Sequence, residues 1–148
     1  MMKILAIIPC YNEAASLPAL FEQMARHCPE LDLLVIDDAS TDNTTEVVSG
    51  KLPVIRLVRN LGIGGAVQTG LKYALRNGYE LALQIDGDGQ HPPEQIPNML
   101  AHYREVPVNI LIGSRFLEEG GFNSTFLRRQ GIFLIRWTLN LLYGSRIT

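Results

Sequence analysis

The chain has 148 residues, 47% apolar and 19% charged, with a formal net charge of −2. That is enough for one compact domain with a sizeable core, and without a dense Lys/Arg block it excludes a general electrostatic footprint for nucleic acid. Any bound anion must therefore be held by a local site.

Lys3 to Pro9, KILAIIP, is an apolar run of the length of a strand buried on both faces, and EAASLPALFEQMARHC after it repeats with helical spacing through Leu17, Leu20, Phe21 and Met24. The opening run is too short for a good signal peptide and is followed at once by Tyr-Asn-Glu. Cys10 and Cys28 stand in no metal-ligand spacing, so a reducing cytoplasm is expected and the Asn-x-Thr triplets at Asn43 and Asn123 mean little as glycosylation sites. LDLLVID (31–37) reads as a second strand, Asn43 with Glu46 as the capping box of a short helix, and VIRLVR (54–59) as a third strand. GGAVQTGLKYALRNG is a helix closing at Gly78. ELALQID (80–86) is a fourth strand, PPEQIPNMLAHYRE a helix opened by prolines, and VNILIG (108–113) a fifth strand. The Gly-rich stretch 118–124 reads as a loop, after which the character of the sequence changes.

Apolar strands alternating with amphipathic helices predict an α/β domain, a doubly wound parallel sheet with helices on both faces. In such sheets ligands bind outside the carboxyl ends of the strands, and the polar clusters fall there: PCYNE, DDAS, RNLGIGG, DGDGQH and GSR.

These clusters exclude some chemistries. The first strand-to-helix turn, PCYNE, has no glycine, GIGGAV from Gly62 has Val67 where a third glycine belongs, and no phosphate-binding G-x-x-x-x-G-K-[ST] occurs. A phosphoacceptor receiver could use Asp37, Asp38 and Asp86, but its acidic pair would belong on strand one and a Lys should follow strand five. A sugar-nucleotide pyrophosphorylase would need a Gly-rich basic loop where PCYNE stands. Asp86-Gly87-Asp88 suits a hard divalent cation, Mg²⁺ or Mn²⁺: two carboxylates and the Gln90 carbonyl would leave positions open for phosphate oxygens. Alone, such a D-x-D reads more often as a solvated turn.

The ordered set PCYNEAASLP, IDDASTDNT, RNLGIGGAVQTGLKYAL, QIDGDGQHPPE and GSR closely resembles the family 2 glycosyltransferases of GT-A fold. Within them it is most similar to the dolichol-phosphate mannosyltransferase branch and its bacterial polyprenyl-phosphate relatives. The resemblance runs from residue 3 to about 148. It implies a nucleotide site at Pro9, Tyr11, Asn12 and Glu13, with Tyr11 against the base. Glu13 would accept from base N–H groups or the ribose, although it also suits a helix first turn. Asp37 is implied as a base-reading acceptor with Asp38 and Ser40 beside it, and Asp38 equally suits a turn that accepts backbone N–H groups. Asn60, Gly62, Gly64 and Gly65 would let backbone approach the nucleotide, or merely supply a turn. Asp86 and Asp88 become the cation-binding pair, Asp86 lying near the ribose as well, with Gln90 a third ligand and His91 a supporting residue. Arg115 would contact the diphosphate, unless it pairs with Glu118 or Glu119.

The implied activity is a metal-dependent inverting transfer of a sugar from GDP-mannose or a UDP-sugar, with Asp88 and Arg115 as catalytic groups. The acceptor would be a polyprenyl or dolichyl phosphate; a polysaccharide or glycan acceptor and a non-catalytic nucleotide-sugar-binding subunit are the alternatives. Residues 1–116 would form the donor-binding core and 117–148 a loop and an amphipathic acceptor-side or membrane-facing helix. The run from Ile132 to Tyr143 is too short to span a bilayer, and Arg128 and Arg129 in front of it are candidates for the acceptor phosphate. An alternative is a helix buried against protein outside the chain. The family pattern continues past Thr148, so the sequence reads as truncated, and a place at the cytoplasmic face of a membrane is expected.

Overall fold

The structure, a computed structural model, describes residues 2–106 and 108–113. The chain divides into two compact units, Met1–Val108 and Asn109–Thr148, and all secondary structure among the described residues lies in the first. Its order is β1 (Ile4–Cys10), α1 (Leu17–His27), β2 (Asp32–Asp37), α2 (Thr44–Val48), β3 (Val54–Arg56), α3 (Gly62–Arg76), β4 (Leu81–Gln84), a 3-10 turn (Pro93–Gln95) and α4 (Ile96–Glu105). The strands form one sheet in the order β3-β2-β1-β4, and every pair in it is parallel.

All seven residues of β1 are buried, as its unbroken apolar run requires of a central strand. Its side chains alternate between two cores. Ile4, Ala6, Ile8 and Cys10 pack with Leu17, Leu20 and Met24 of α1 and with Ile96 and Leu100 of α4. Leu5 and Ile7 point the other way, into a second core with Leu34, Ile36 and, from α3, Ala66 and Ala74. Gly70 lets α3 lie close to the sheet, because a Cβ there would stand 2.3 Å from Cγ2 of Ile7. The expected α/β layering, helices on both faces of a parallel sheet, is thus present.

Three local expectations are corrected. Residues 108–113 form no strand, and Ile110 and Ile112 are both 79% exposed. An apolar run favours a strand, but a strand exists only where a neighbour takes its backbone N–H and C=O groups, and among the described residues the sheet stops at β4. The capping box at α2 does not form either: Asn43 makes no side-chain cap. Asp42, one residue earlier, takes that role, its Oδ1 accepting from the N–H of Thr44 at 3.0 Å and from its hydroxyl at 2.5 Å. β3 is also half as long as its apolar run, ending at Arg56.

Candidate functional site

The loops after β1 and β2 are fastened to each other by side chains. Asn12 has a φ of 58°, tolerated by asparagine, and this turns its Oδ1 towards the second loop, where it accepts from the N–H of Thr41 at 2.8 Å, the Thr41 hydroxyl at 3.2 Å and the N–H of Asp42 at 3.3 Å. In return Ser40 Oγ accepts from Asn12 N–H at 3.0 Å, Thr44 Oγ1 from Glu13 N–H at 2.9 Å and Asp42 Oδ2 from Ala14 N–H at 3.2 Å. Asn12 and Ser40, expected as nucleotide contacts, therefore build the loops that carry the cleft. Their spacing gave no signal for this, since the partners lie about thirty residues away.

Asp37 and Asp38 have different fates. Asp37 is fully buried; Oδ1 accepts from Ser40 N–H at 2.8 Å, and Oδ2 accepts from the Thr45 hydroxyl and faces Arg56 Nε at 3.7 Å. Burial pushes its pKa up, but the hydrogen bonds from Ser40 and Thr45, with Arg56, more than offset that and hold it below the usual carboxylate value. Asp37, expected to read the base, is thus turned into the protein and does not line the cleft. Asp38 does line it, while its Oδ1 accepts from Leu61 N–H at 2.7 Å and so joins the end of β2 to the start of α3.

At that start Asn60 Oδ1 accepts from Gly62 N–H at 3.0 Å. Gly62 has a φ of +75°, a conformation that favours glycine, whereas a Cβ on Gly64 would meet open space and one on Gly65 would stand 2.5 Å from Leu61 Cβ. The side chains α3 contributes to the cleft are Ile63 and Ala66.

After β4 the chain continues alongside the end of β1. Gly87 donates its N–H to the Pro9 carbonyl at 3.3 Å, and a Cβ on it would stand 3.1 Å from Cys10 Cβ, so glycine fits tightly between the two acids. Asp86 Oδ1 accepts from Gln84 Nε2 at 2.8 Å. His91 Nδ1 accepts from Asp86 N–H at 3.1 Å, which leaves Nε2 facing Asp86 Oδ2 at 3.8 Å. Asp88 is exposed, and its Oδ1 accepts from Gln90 N–H at 2.9 Å.

Pro9, Cys10, Tyr11, Glu13, Asp38, Ile63, Ala66, Asp86, Gly87 and Asp88 line one cleft of about 200 Å³ at the carboxyl ends of the strands. The sequence pattern named most of these; Cys10, Ile63 and Ala66 were missed because apolar residues beside a strand end read as core. Burial and then the nearby Asp37 and Glu13 push the Cys10 thiol up to about 12, so it stays protonated and unreactive near neutral pH. A larger groove of about 460 Å³ at the opposite ends of the strands is walled by Leu5, Leu33, Pro53, Tyr73 and Tyr79 and brings no acidic pair together.

The cleft's donor set fits a divalent cation shared with a ligand. Among the described residues no three acidic, His or Cys side chains come close enough to hold an ion by themselves. Asp86 and Asp88 offer hard oxygens from two sides of Gly87 and leave further coordination positions for ligand oxygens, the pattern in which Mg²⁺ binds phosphates. Arg115, Arg128 and Arg129 lie outside the described residues. No helix among the described residues is long and apolar enough to cross a membrane.

The chain is 37% identical over 125 residues to the undecaprenyl-phosphate mannosyltransferase of Micrococcus luteus, covering 80% of this chain and 51% of that protein. It spans about half the length of the curated relatives it matches. Among solved structures it resembles TarS of S. aureus in complex with UDP-GlcNAc, at a TM-score of 0.60 and 28% identity over 79% of this chain and 39% of that one. The mannosyltransferase PcManGT from Pyrobaculum calidifontis, in complex with GDP-Man and Mn²⁺, shares the fold at a TM-score of 0.57 and 23% identity, over 68% of this chain and 32% of that one. The sequence model of the family described as Glycosyl transferase family 2 matches residues 5–147. With the parallel sheet, the cleft at its carboxyl ends and a match over nearly the whole chain, this protein belongs to glycosyltransferase family 2 and has the GT-A fold.

Proposed function

We propose that the chain carries the donor half of a metal-dependent inverting glycosyltransferase, which moves a hexose from GDP-mannose or a UDP-sugar to a polyprenyl or dolichyl phosphate. The observation that carries this reading is the acidic pair, half-buried Asp86 and exposed Asp88, at a cleft that also bears Glu13, Asp38 and Tyr11. Four carboxylates around one small opening repel a bare diphosphate, so a cation must accompany it. The acceptor class is supported by the name of the Micrococcus relative, and the donor class by the UDP-GlcNAc bound to TarS.

In this reading Tyr11 lies against the base, Asp38 accepts from a base N–H, and Glu13 accepts from the ribose hydroxyls. Asp86, Asp88 and Gln90 hold Mg²⁺ or Mn²⁺. When bound, the cation supplies charge neutralisation at the diphosphate. Arg115 adds paired hydrogen bonds to the same oxygens, stabilising charge as it develops on the leaving group. An oxygen of the acceptor phosphate attacks the anomeric carbon, the bond from that carbon to the diphosphate breaks, and nucleoside diphosphate departs. With a second pKa of about 6 the acceptor arrives largely ionised, so the chain need not supply a general base.

A polyprenyl-phosphate acceptor would bring the protein to the cytoplasmic face of a membrane. Residues 1–116 would then be the donor-binding core and 117–148 the acceptor side, with Arg128 and Arg129 for the acceptor phosphate and the run from Ile132 to Tyr143 at the lipid surface. The testing experiment is a thermal melt with GDP, UDP, CDP and dTDP, each with and without Mn²⁺, since a ligand that binds only the native state raises Tm. A metal-dependent rise with one nucleotide is expected and names the base. No rise with any of the four, in this chain and in a longer one, would remove the transferase reading.

A further inference from the structure

Ser16 occupies the N-cap of α1, where a serine hydroxyl ordinarily accepts from an N–H two or three residues further on. Here it makes no such bond, and the second helical position is Pro18, which has no N–H to offer. The hydroxyl turns instead to the cleft. Its oxygen stands 2.8 Å from the carbonyl oxygen of Gly87, 2.7 Å from Glu13 Oε2 and 3.1 Å from the Glu13 carbonyl oxygen.

All three neighbours are acceptors, and a hydroxyl has a single proton. The Glu13 carbonyl already accepts from Ser16 N–H at 3.1 Å and Leu17 N–H at 3.2 Å, so the contest lies between Gly87 and the Glu13 carboxylate. The Ser16 hydroxyl reaches the Gly87 carbonyl from the start of α1, 71 residues away in the chain. Gly87 is otherwise fixed at its N–H, by Pro9, and at its Cα, which lies against Cys10 and Leu17. The Ser16 hydroxyl bears on its carbonyl, and hence on the peptide plane that leads into Asp88.

We infer that Ser16 is a positioning residue that relays occupancy of the Glu13 end of the cleft to the acidic pair. A ligand N–H or hydroxyl that donates to Glu13 Oε2 competes with Ser16 for that oxygen and leaves the Ser16 proton to Gly87, which fixes the plane before Asp88. The ligand assignment rests on the nucleotide-sugar reading above; the competition for one proton rests on the geometry. Nucleotide would therefore order the cation site before the cation arrives.

Hydrogen exchange at residues 88–90 reads this directly, measured in chelator with GMP or UMP, which lack the diphosphate. In the parent chain and in Ser16→Thr, which keeps the hydroxyl, one of the two nucleotides is expected to slow exchange there by roughly fivefold, the worth of one hydrogen bond. In Ser16→Ala that protection disappears, while the nucleotide still slows the amides of residues 11–13. Ser16→Cys, a weaker donor of similar size, falls between and serves if the Ala variant loses global stability. Full protection at 88–90 in Ser16→Ala overturns the relay and leaves the transferase reading intact. Absence of any nucleotide effect in the parent chain overturns the relay alone, since the transferase reading is decided by the melt with nucleoside diphosphate and Mn²⁺.

Discussion

Two acidic pairs stand at strand ends on either side of β1, and the same residue type does opposite things in them. Asp37, at the end of β2, is wholly buried and surrounded by donors, so its charge is used within the fold. Asp88, just past β4, is exposed and accepts at Oδ1 from the N–H of Gln90 two residues on. A carboxylate whose acceptors are filled from its own chain is a structural part, and one left open at a cleft is available to a ligand. Asp38 and Asp86 lie between these extremes, each with one oxygen committed to the protein while its residue lines the cleft.

The most severe way to break the contrast is Asp88→Asn. It keeps an oxygen for Gln90 N–H and changes nothing buried, so Tm without ligand should stay within a degree or two. Metal-dependent gain in nucleoside diphosphate affinity should disappear, by at least the 10- to 100-fold that even residues behind a metal ligand are worth. Titration with GDP and UDP at several Mn²⁺ concentrations measures this, and an unchanged metal dependence would mean that Asp88 is no ligand.

Asp37→Ala should do the reverse, lowering stability by about 2–3 kcal/mol because Ser40 N–H, the Thr45 hydroxyl and Arg56 lose their acceptor. Arg56 is half exposed, which keeps the loss below that of a fully buried pair. The effect carries a pH signature. Because the folded pKa of Asp37 is lowered, its contribution is fully present above the unfolded value of about 3.9 and is lost as pH falls through the folded value. Urea midpoints for parent and Asp37→Asn should therefore converge below about pH 4 and stay apart at pH 6. Parallel curves across that range would remove the linkage.

This division explains what the sequence made legible. The order of the first four strands and their helices follows from local patterns, and the structure has it, with the clusters after β1, β2, β3 and β4 at the strand ends. Asp37 could not be separated from Asp38 in that way, because what separates them is Thr45 and Arg56 reaching back to one of them, a tertiary fact. The bonds of Asn12 and Ser40 between the loops were not legible for the same reason: a polar residue in a strand-end loop looks the same whether its partner is a ligand or a second loop. The apolar run at 108–113 carried the strand signal, but not the neighbour a strand requires.

His91 offers a smaller perturbation on the open side. Its Nδ1 accepts from Asp86 N–H, so it fixes the backbone of the acidic pair without lying at the cleft. His91→Ala should weaken metal-dependent nucleotide binding by about 10-fold, the lower end for a supporting residue, with affinity in the absence of metal unchanged. Asn in place of His91 offers an acceptor close to the lost Nδ1 and should recover part of the binding. Equal loss with and without metal would assign His91 to the nucleotide instead.

The smallest effect is expected on the closed side, at Ala39 between the two acids of DDAS and Ser40. Ala39 has a φ of 61°, close to the 58° of Asn12, and both cost backbone strain. Asn12 offsets it with three accepted hydrogen bonds, whereas the methyl of Ala39 can make none. Left-handed backbone costs an alanine about 1–2 kcal/mol, and the greater freedom of unfolded glycine returns about 0.4–1 of that. Ala39→Gly should therefore raise stability by up to about 1.5 kcal/mol, seen as a rise of up to about 5 °C in Tm, with nucleotide affinity unchanged. Asn12→Gly relieves the same strain but strips the acceptors from Thr41 and Asp42, and it should lower Tm. If both substitutions moved Tm in the same direction, strain would outweigh side-chain fastening in these loops, and the distinction between filled and open acceptors would not govern this end of the sheet.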